Sequence, residues 1–193
     1  MAKALSRCLA AAILLTCTAP MASALEFETL FEQGDWRVDV NLWPDGSMDC
    51  EALTWNGDGD SFSIYETASG ATRISFRSSR WDFPDEPTPT DFVVTVDSAS
   101  PWQMSGSRSL SAISVTSPAG SPETSRFLRE IGNGAQLHLA NADGRHLLSF
   151  SLTGSAASLS ALGTCAELLP DEDADDADPF RNSRSTSPSD PFR

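Results

Sequence analysis

The stretch "SFSIYETASGATRISFR" (61–77) decides the fold class of this chain. On either side of its central "SGA" turn, apolar and polar side chains alternate. Phe62 and Ile64 therefore share one face of the first segment, and Ile74 and Phe76 share one face of the second. A period of two residues is typical of a half-buried β-strand, and small turn residues between two such segments indicate a hairpin. The sequence therefore predicts antiparallel β-structure at this point.

The same alternation recurs in other segments of the chain. Further strands are predicted at "WRVDV" (36–40), "MDCEALTW" (48–55), "FVVTV" (92–96) and "LSAISV" (110–115). Trp36 opens the first of these and is expected in the core. The segment "WDFPDEPTPTD" (81–91) contains three prolines, so we expect it to be a loop.

Two segments change to a helical period. "SPETSRFLREIGNG" (121–134) begins with a capping serine and a proline and ends in glycines. "GSAASLSALGTC" (154–165) offers Ser155 as a cap and Gly163 as a terminator. The expected fold is mainly β (α+β), an antiparallel β-sheet or sandwich with two short helices.

A second hairpin, "AQLHLANADGRHLLSFSL" (135–152), turns at its "DG" dipeptide. A regular register places Leu139 opposite Leu148 and creates one apolar face. In that register His146 lies on the apolar face and His138 on the other. The two imidazoles are therefore not expected to converge, and no histidine metal site is predicted.

The N-terminal segment 1–24 has the pattern of a signal peptide. Lys3 and Arg7 precede a short apolar run, "LAAAILL" (9–15), and "ASA" (22–24) fits a cleavage site. A buried N-terminal helix is the alternative. Lipid anchoring at Cys17 is disfavoured because a threonine precedes it. The prediction is a periplasmic or secreted protein without a transmembrane segment, since no apolar run is long enough to span a bilayer.

Cleavage would leave two of the four cysteines, Cys50 and Cys165. A single pair in an oxidising compartment predicts a disulfide that closes the domain 25–169. The alternative, a redox-active dithiol, would favour CxxC spacing, which the chain lacks.

The segment 170–193 is predicted to be a disordered tail. It opens with "DEDADDAD" (171–178) and continues as a polar, proline-containing sequence. "DPFR" occurs twice in it, either as a docking motif for a protein or envelope partner or as a chance duplication. After cleavage, 11 basic residues would face 27 acidic ones, a net charge of -16. Such a surface repels nucleic acid, so no nucleic-acid partner is expected.

The loop "NGDGD" (56–60) invites comparison with a calcium loop. Counted from its asparagine, the position that requires glycine holds Ser61 and the closing position holds Thr67, with Glu66 one place short. We expect a turn between two strands, with a weak cation site as the alternative.

Five tryptophans are many for 193 residues. Trp81 and Trp102 border proline-rich or serine-rich loops and are candidates for an exposed ligand platform, with packing at the core or its rim as the alternative. The chain lacks a nucleophile elbow, a phosphate-binding glycine loop and zinc-ligand spacing. No catalytic residue, metal ligand or cofactor is therefore assigned.

The C-terminal third carries a resemblance. The segment 127–162 runs helix, "I-x-x-G", two strands and then "SLTGSAASLSAL". It resembles the ending of the invasion-associated locus B family of exported alphaproteobacterial proteins, where an "SL-x-G" turn precedes an "A-x-x-A-L" helix. "GDWRVDV" (34–40) is similar to the opening of that family. The family's early cysteine has no counterpart at Val40 or Asn41, and Ser155 stands where an aromatic residue is common. The resemblance implies a periplasmic or secreted β-rich domain without assigned enzymology, associated in pathogens with host-cell entry.

These observations predict a non-catalytic exported protein of a binding or envelope-associated type. The first alternative is a secreted carbohydrate- or peptide-binding module that uses the loops of Trp81 and Trp102. A hydrolase whose site has no recognisable motif is the second.

Overall fold

A computed structural model describes residues 26–170 of the chain. The signal peptide (1–24), Cys17, and the acidic segment with its two "DPFR" motifs (171–193) lie outside the described residues, so those assignments stay predictions.

Ten strands and two helices make up the described part of the chain. The strands are β1 (Glu26–Gln33), β2 (Trp36–Leu42), β3 (Met48–Trp55), β4 (Ser61–Thr67), β5 (Thr72–Arg77), β6 (Thr88–Val96), β7 (Trp102–Ser109), β8 (Ala112–Ser117), β9 (Gln136–Asn141) and β10 (His146–Ser151). The helices are α1 (Pro122–Asn133) and α2 (Ser155–Ala166). No helix within residues 26–170 has the length and apolarity needed to cross a membrane.

All ten strands belong to one sheet with the order β1-β2-β3-β4-β5-β8-β7-β6-β9-β10, and every pairing is antiparallel. The first five strands form a meander. The β6–β8 meander joins it through β8, and the β9–β10 hairpin adds to β6. The predicted fold class, mainly β and antiparallel with two short helices, is confirmed.

The sheet bends so that its two ends face each other across a common core. Phe62 of β4 stacks on Phe76 of β5, with ring centroids 4.9 Å apart. It also lies 5.8 Å from Phe150 of β10, which is six positions away in the sheet order. Trp36 meets Phe62 edge-on at 5.7 Å and is buried, as expected for the opening residue of β2. Aromatic burial of this kind is the main stabilising contribution to such a core.

Helix α2 packs against α1 and against strands β1 to β4. The disulfide between Cys50 of β3 and Cys165 of α2 is confirmed, with a Cα–Cα distance of 6.1 Å. Two helix-boundary predictions are wrong. Gly154, at φ 100°, is the N-cap of α2, while Ser155 lies inside the helix and donates its hydroxyl to the carbonyl of Ile131. Gly163 does not end α2, because the helix continues to Ala166, stabilised by the bond from Glu167 N to Gly163 O.

The sequence patterns missed β1 and β7. Strand β1 alternates poorly and exposes Phe27 and Leu30, and β7 is rich in serine. The expected loop 81–91 is also partly wrong, because β6 begins at Thr88. Pro89 is accommodated there because this part of β6 pairs with β7 alone, and pairing with β9 starts at Phe92.

Candidate functional site

The outer face of strands β2 to β5 carries a cleft of about 360 Å³. The strand period builds it. In β3, Cys50 and Ala52 point into the core, so Glu51, Leu53 and Trp55 point outward. The antiparallel register then places Tyr65 of β4 opposite Glu51. Regular β-pairing therefore collects aromatic and polar groups on one surface.

Trp43, just beyond the end of β2, lies at one side of this cleft. Its Nε1 donates to Asp49 Oδ2 at 3.0 Å, and Asn41 Nδ2 donates to Asp49 Oδ1 at 2.9 Å. The same Asn41 amide lies 3.3 Å from Glu51 Oε2. Asp49 is buried, and Arg73 Nη2 lies 3.8 Å from its Oδ2. These bonds fix the indole of Trp43 relative to the sheet.

Tyr65 forms a wall of the cleft. The guanidinium of Arg73 lies 4.1 Å from the centre of its ring, a cation–π contact. Burial, followed by the negative charge and hydrogen bond of Glu51, raises the pKa of the Tyr65 hydroxyl above its usual range. The phenol therefore stays protonated beside the Glu51 carboxylate.

Trp55 is the most exposed aromatic side chain of the cleft, at 43%. The Arg37 guanidinium lies 4.9 Å from the centre of its ring. Arg37 is itself held by Asp39, with Nε 2.8 Å from Oδ2. An exposed indole with a fixed neighbour is preorganised for contact with a ligand, because little side-chain entropy remains to be lost.

The cleft thus combines three aromatic side chains with serine, asparagine, carboxylate and guanidinium groups. Ser61, Ser63 and Ser75 also line it, with Ser61 directly opposite Trp55, and Arg77 lies at the β5 side. Flat apolar surfaces next to a few fixed donors and acceptors are typical of ligand-binding sites. The arrangement suits recognition of a small polar molecule that also has apolar faces.

The predicted platform residues lie elsewhere, and each is half-buried. Trp81 packs against Phe83 with centroids 5.6 Å apart. Trp102 lies in β7, where it meets Phe127 edge-on at 5.3 Å and Arg126 lies 4.6 Å from its ring centre. The two tryptophans therefore have different packing partners. Ligand binding by Trp81 and Trp102 stays a prediction.

A second cleft, of about 230 Å³, borders Trp102 together with Met104 and Phe127. The Trp102 Nε1 is buried and has no hydrogen-bond partner within the described residues. A buried donor without an acceptor costs free energy, and an acceptor on a ligand would satisfy it.

The "NGDGD" loop (56–60) is a hydrogen-bonded turn between β3 and β4. The Oδ1 of Asn56 accepts from the backbone N–H groups of Asp58 and Asp60, both at 3.0 Å. Asp60 is buried, and its Oδ2 accepts from Arg80 Nη2 at 2.6 Å. Two of the oxygens that could bind a cation, Asn56 Oδ1 and Asp60 Oδ2, are engaged by backbone amides and by the Arg80 guanidinium respectively.

The prediction that the two histidines lie on opposite faces is wrong. A β-bulge between His146 and Leu148 shifts the register, so that His146 pairs with Ala140 and turns to the face of His138. The two imidazole centroids are 5.8 Å apart. Both rings contact Ser149, whose Oγ lies 2.8 Å from His138 Nδ1 and 2.7 Å from His146 Nε2.

No group of three or more His, Cys, Asp or Glu side chains within residues 26–170 is arranged to hold a metal ion. Comparison with known protein families, with curated proteins and with solved structures returned no significant match.

Sequence reasoning missed the cleft on β2 to β5, although a signal for it exists. Around the five-residue "NGDGD" turn, continuous pairing fixes Trp55 opposite Ser61 and Glu51 opposite Tyr65. The alternation of β3 then places Trp55 and Glu51 on the same outer face. The bulge beside His146 has no comparable signal, since the sequence there is compatible with a regular hairpin.

Proposed function

We propose that this chain is a non-catalytic, exported binding protein whose ligand is a neutral saccharide held in the cleft on β2 to β5. The observation that carries the proposal is the pairing of Trp43 and Trp55 with fixed polar groups on one outer face. Sugar rings present apolar C–H faces and a rim of hydroxyls, which match indole surfaces and hydrogen-bonding side chains. The net charge of -14 favours a neutral ligand over an anionic one.

Export is proposed from the leader-like segment 1–24 and is supported by the disulfide. Disulfides persist in oxidising compartments such as the periplasm and the extracellular space. The Cys50–Cys165 bond joins an interior strand to the last helix of the described chain. A binding domain closed by a disulfide is therefore consistent with export to an oxidising compartment.

Membership in the invasion-associated locus B family is a further proposal, and it rests on the quoted motifs. In the fold, the segments that carry the two similarities touch each other. Asp35 N donates to Thr153 O at 3.3 Å, and Trp36 Nε1 donates to Ser151 O at 3.3 Å. Because "GDWRVDV" and "SLTG" contact each other in the fold, one structural requirement can explain why both motifs occur in the same chain.

A glycan array followed by tryptophan-fluorescence titration tests the saccharide proposal. The expected result is binding of a neutral glycan that weakens by about tenfold or more in Trp55→Ala and in Trp43→Ala, as for central aromatic contacts. Trp81→Ala is the matched control and should bind as the wild type does. An array without any bound glycan, or equal affinity of the Trp43, Trp55 and Trp81 variants, would refute the proposal.

A peptide ligand in the Trp102 cleft is the second candidate, favoured by the unpartnered Nε1. Trp102→Phe keeps the aromatic ring and removes the donor. If a peptide carbonyl accepts from Nε1, this variant should lose most of the affinity found in a peptide array, whereas Trp55→Ala should not. Unchanged peptide binding by Trp102→Phe would exclude the candidate.

A further inference from the structure

The hairpin β9–β10 brings the only two histidines of the chain to one point on the surface of the sheet. His138 Nδ1 lies 2.8 Å from Ser149 Oγ, and His146 Nε2 lies 2.7 Å from the same oxygen. Two imidazole nitrogens thus face a single position. That convergence is what a transition-metal ion requires of a pair of histidine ligands.

Each histidine is positioned by the strand pairing. His138 lies directly opposite Ser149 in the regular part of the hairpin, while the bulge turns His146 onto their face. β9 is itself an interior strand, paired on its other side with β6, where Thr95 lies opposite His138. Ligands on paired strands are held more accurately than ligands on loops.

We propose that His138 and His146 bind one divalent transition-metal ion, Cu²⁺ most tightly, through Nδ1 and Nε2 respectively. Metal–imidazole bonds are about 2.0–2.1 Å long, so an ion would take the position between the nitrogens that the Ser149 hydroxyl now bridges. The hydroxyl rotates away or stays as a weak ligand, and water completes the coordination. Both imidazoles must be neutral to coordinate the ion.

The chemistry of the ligands selects the class of metal. Imidazole nitrogen suits Cu²⁺, Ni²⁺ and Zn²⁺, whereas Ca²⁺ and Mg²⁺ prefer oxygen ligands. Among the divalent ions of the first transition row, Cu²⁺ forms the most stable complexes with such a site. Because only two protein nitrogens are offered, selectivity follows this intrinsic order.

The surroundings leave room for water ligands. His146 and Ser149 border a cleft of about 410 Å³ that Asp58 and Arg80 also line. Asp58 and Arg80 are paired, with Nη1 3.6 Å from Oδ2. Arg80 also donates to the buried Asp60 at 2.6 Å, so these three side chains carry one net negative charge, which favours a cation, and the two imidazoles supply the nitrogen ligands.

The test uses the full chain without a histidine tag, titrated with Cu²⁺ in a calorimeter and followed by electron paramagnetic resonance. One tightly bound ion per chain with hyperfine coupling to two imidazole nitrogens is expected. His138→Gln and His146→Gln should each leave a single coupled nitrogen and weaken binding by at least about tenfold, because even changes to residues that only support metal ligands cost about 10–100-fold in affinity. Ser149→Ala should retain both nitrogens.

Cu²⁺ can also bind to carboxylates, and the double variant H138Q/H146Q separates that case. It keeps every acidic residue of the chain, including "DEDADDAD" (171–178). If it binds Cu²⁺ as tightly as the wild type, or if the wild-type spectrum contains fewer than two imidazole nitrogens, the proposal is overturned. Trp55→Ala should bind Cu²⁺ with wild-type affinity, so the metal-site proposal and the saccharide proposal are tested independently.

Discussion

Two buried serines on helix α2, Ser155 and Ser158, should respond to alanine substitution in opposite directions. Both are almost fully buried, with 1% and 0% exposure. The Ser155 hydroxyl donates to the carbonyl of Ile131 at 2.8 Å, which ties α2 to α1. The Ser158 hydroxyl has no hydrogen-bond partner within the described residues. The same chemical change therefore removes a bond at one position and an unsatisfied polar group at the other.

The magnitudes follow from these contacts. A net intramolecular hydrogen bond contributes about 1 kcal/mol, and a buried unpaired polar group costs about 1–3 kcal/mol. Ser→Ala also raises helix propensity by about 0.5 kcal/mol at each position. Ser155→Ala should thus lower the free energy of unfolding by about 0.5–1 kcal/mol, partly relieved because Gly134 N still donates to Ile131 O. Ser158→Ala should raise it by about 1.5–3.5 kcal/mol.

Urea unfolding followed by tryptophan fluorescence measures both changes. Ser160→Ala is the matched control, because Ser160 is exposed on the same helix and reports the propensity contribution alone. Equal slopes of free energy against urea are required for the comparison. The reasoning is refuted if Ser158→Ala destabilises the protein, or if Ser155→Ala behaves like Ser160→Ala.

Three further predictions concern the disulfide, a half-buried carboxyl and a glycine. Replacing Cys50 and Cys165 with alanine should lower the free energy of unfolding by about 4–5 kcal/mol, because the disulfide closes a separation of 115 residues. Equal urea midpoints for the wild type and this double variant would contradict the prediction. Burial raises the pKa of Glu66 in the folded protein above its value in the unfolded chain. The folded state is therefore most favoured below the unfolded pKa, where Glu66 is protonated, and it loses stability as the pH rises through the folded pKa. Glu66→Gln should therefore stabilise the protein at pH 7 relative to wild type and change little at pH 3, whereas parallel curves of unfolding free energy against pH would count against it. Gly154→Ala should cost more than about 2 kcal/mol, since the added Cβ would collide with the backbone oxygen of Gln33 at the end of β1. Gly144→Ala, also at positive φ but with open space around it, should cost about 1 kcal/mol. Equal thermal midpoints of the two variants would disprove the steric argument.

Much of the sheet was predictable because alternating patterns carry local information. Strands β4 and β5 repeat apolar residues every second position, and pairing across their turn follows directly. Strand β7 was not predictable in this way. Its side chains are mostly small or polar, and it exists because β6 and β8 supply partners on both sides. Its position depends on pairing with β6 and β8, which cannot be predicted from the sequence of β7 alone.

The two candidate sites differ in the same way, because the cleft on β2 to β5 follows from local sequence patterns and the histidine pair does not. Alternation and the short "NGDGD" turn contain enough information to place Trp55 on the same outer face as Tyr65, although the sequence patterns first drew attention to Trp81 and Trp102. The convergence of His138 and His146 needs one extra residue in the β10 strand. A bulge changes the face of a side chain without changing the sequence pattern around it.

The sequence by itself determined the mainly β fold class, the two helices and the Cys50–Cys165 disulfide, because periodicity and cysteine count are local or compositional properties. Tertiary structure alone decided which surfaces these elements create. The bending of the sheet brings β4 and β10 together across one core, and the bulge at His146 brings two imidazoles to one hydroxyl. The bending depends on contacts between segments distant in the chain, and the bulge depends on a one-residue shift in pairing. Neither produces a periodic pattern in the sequence.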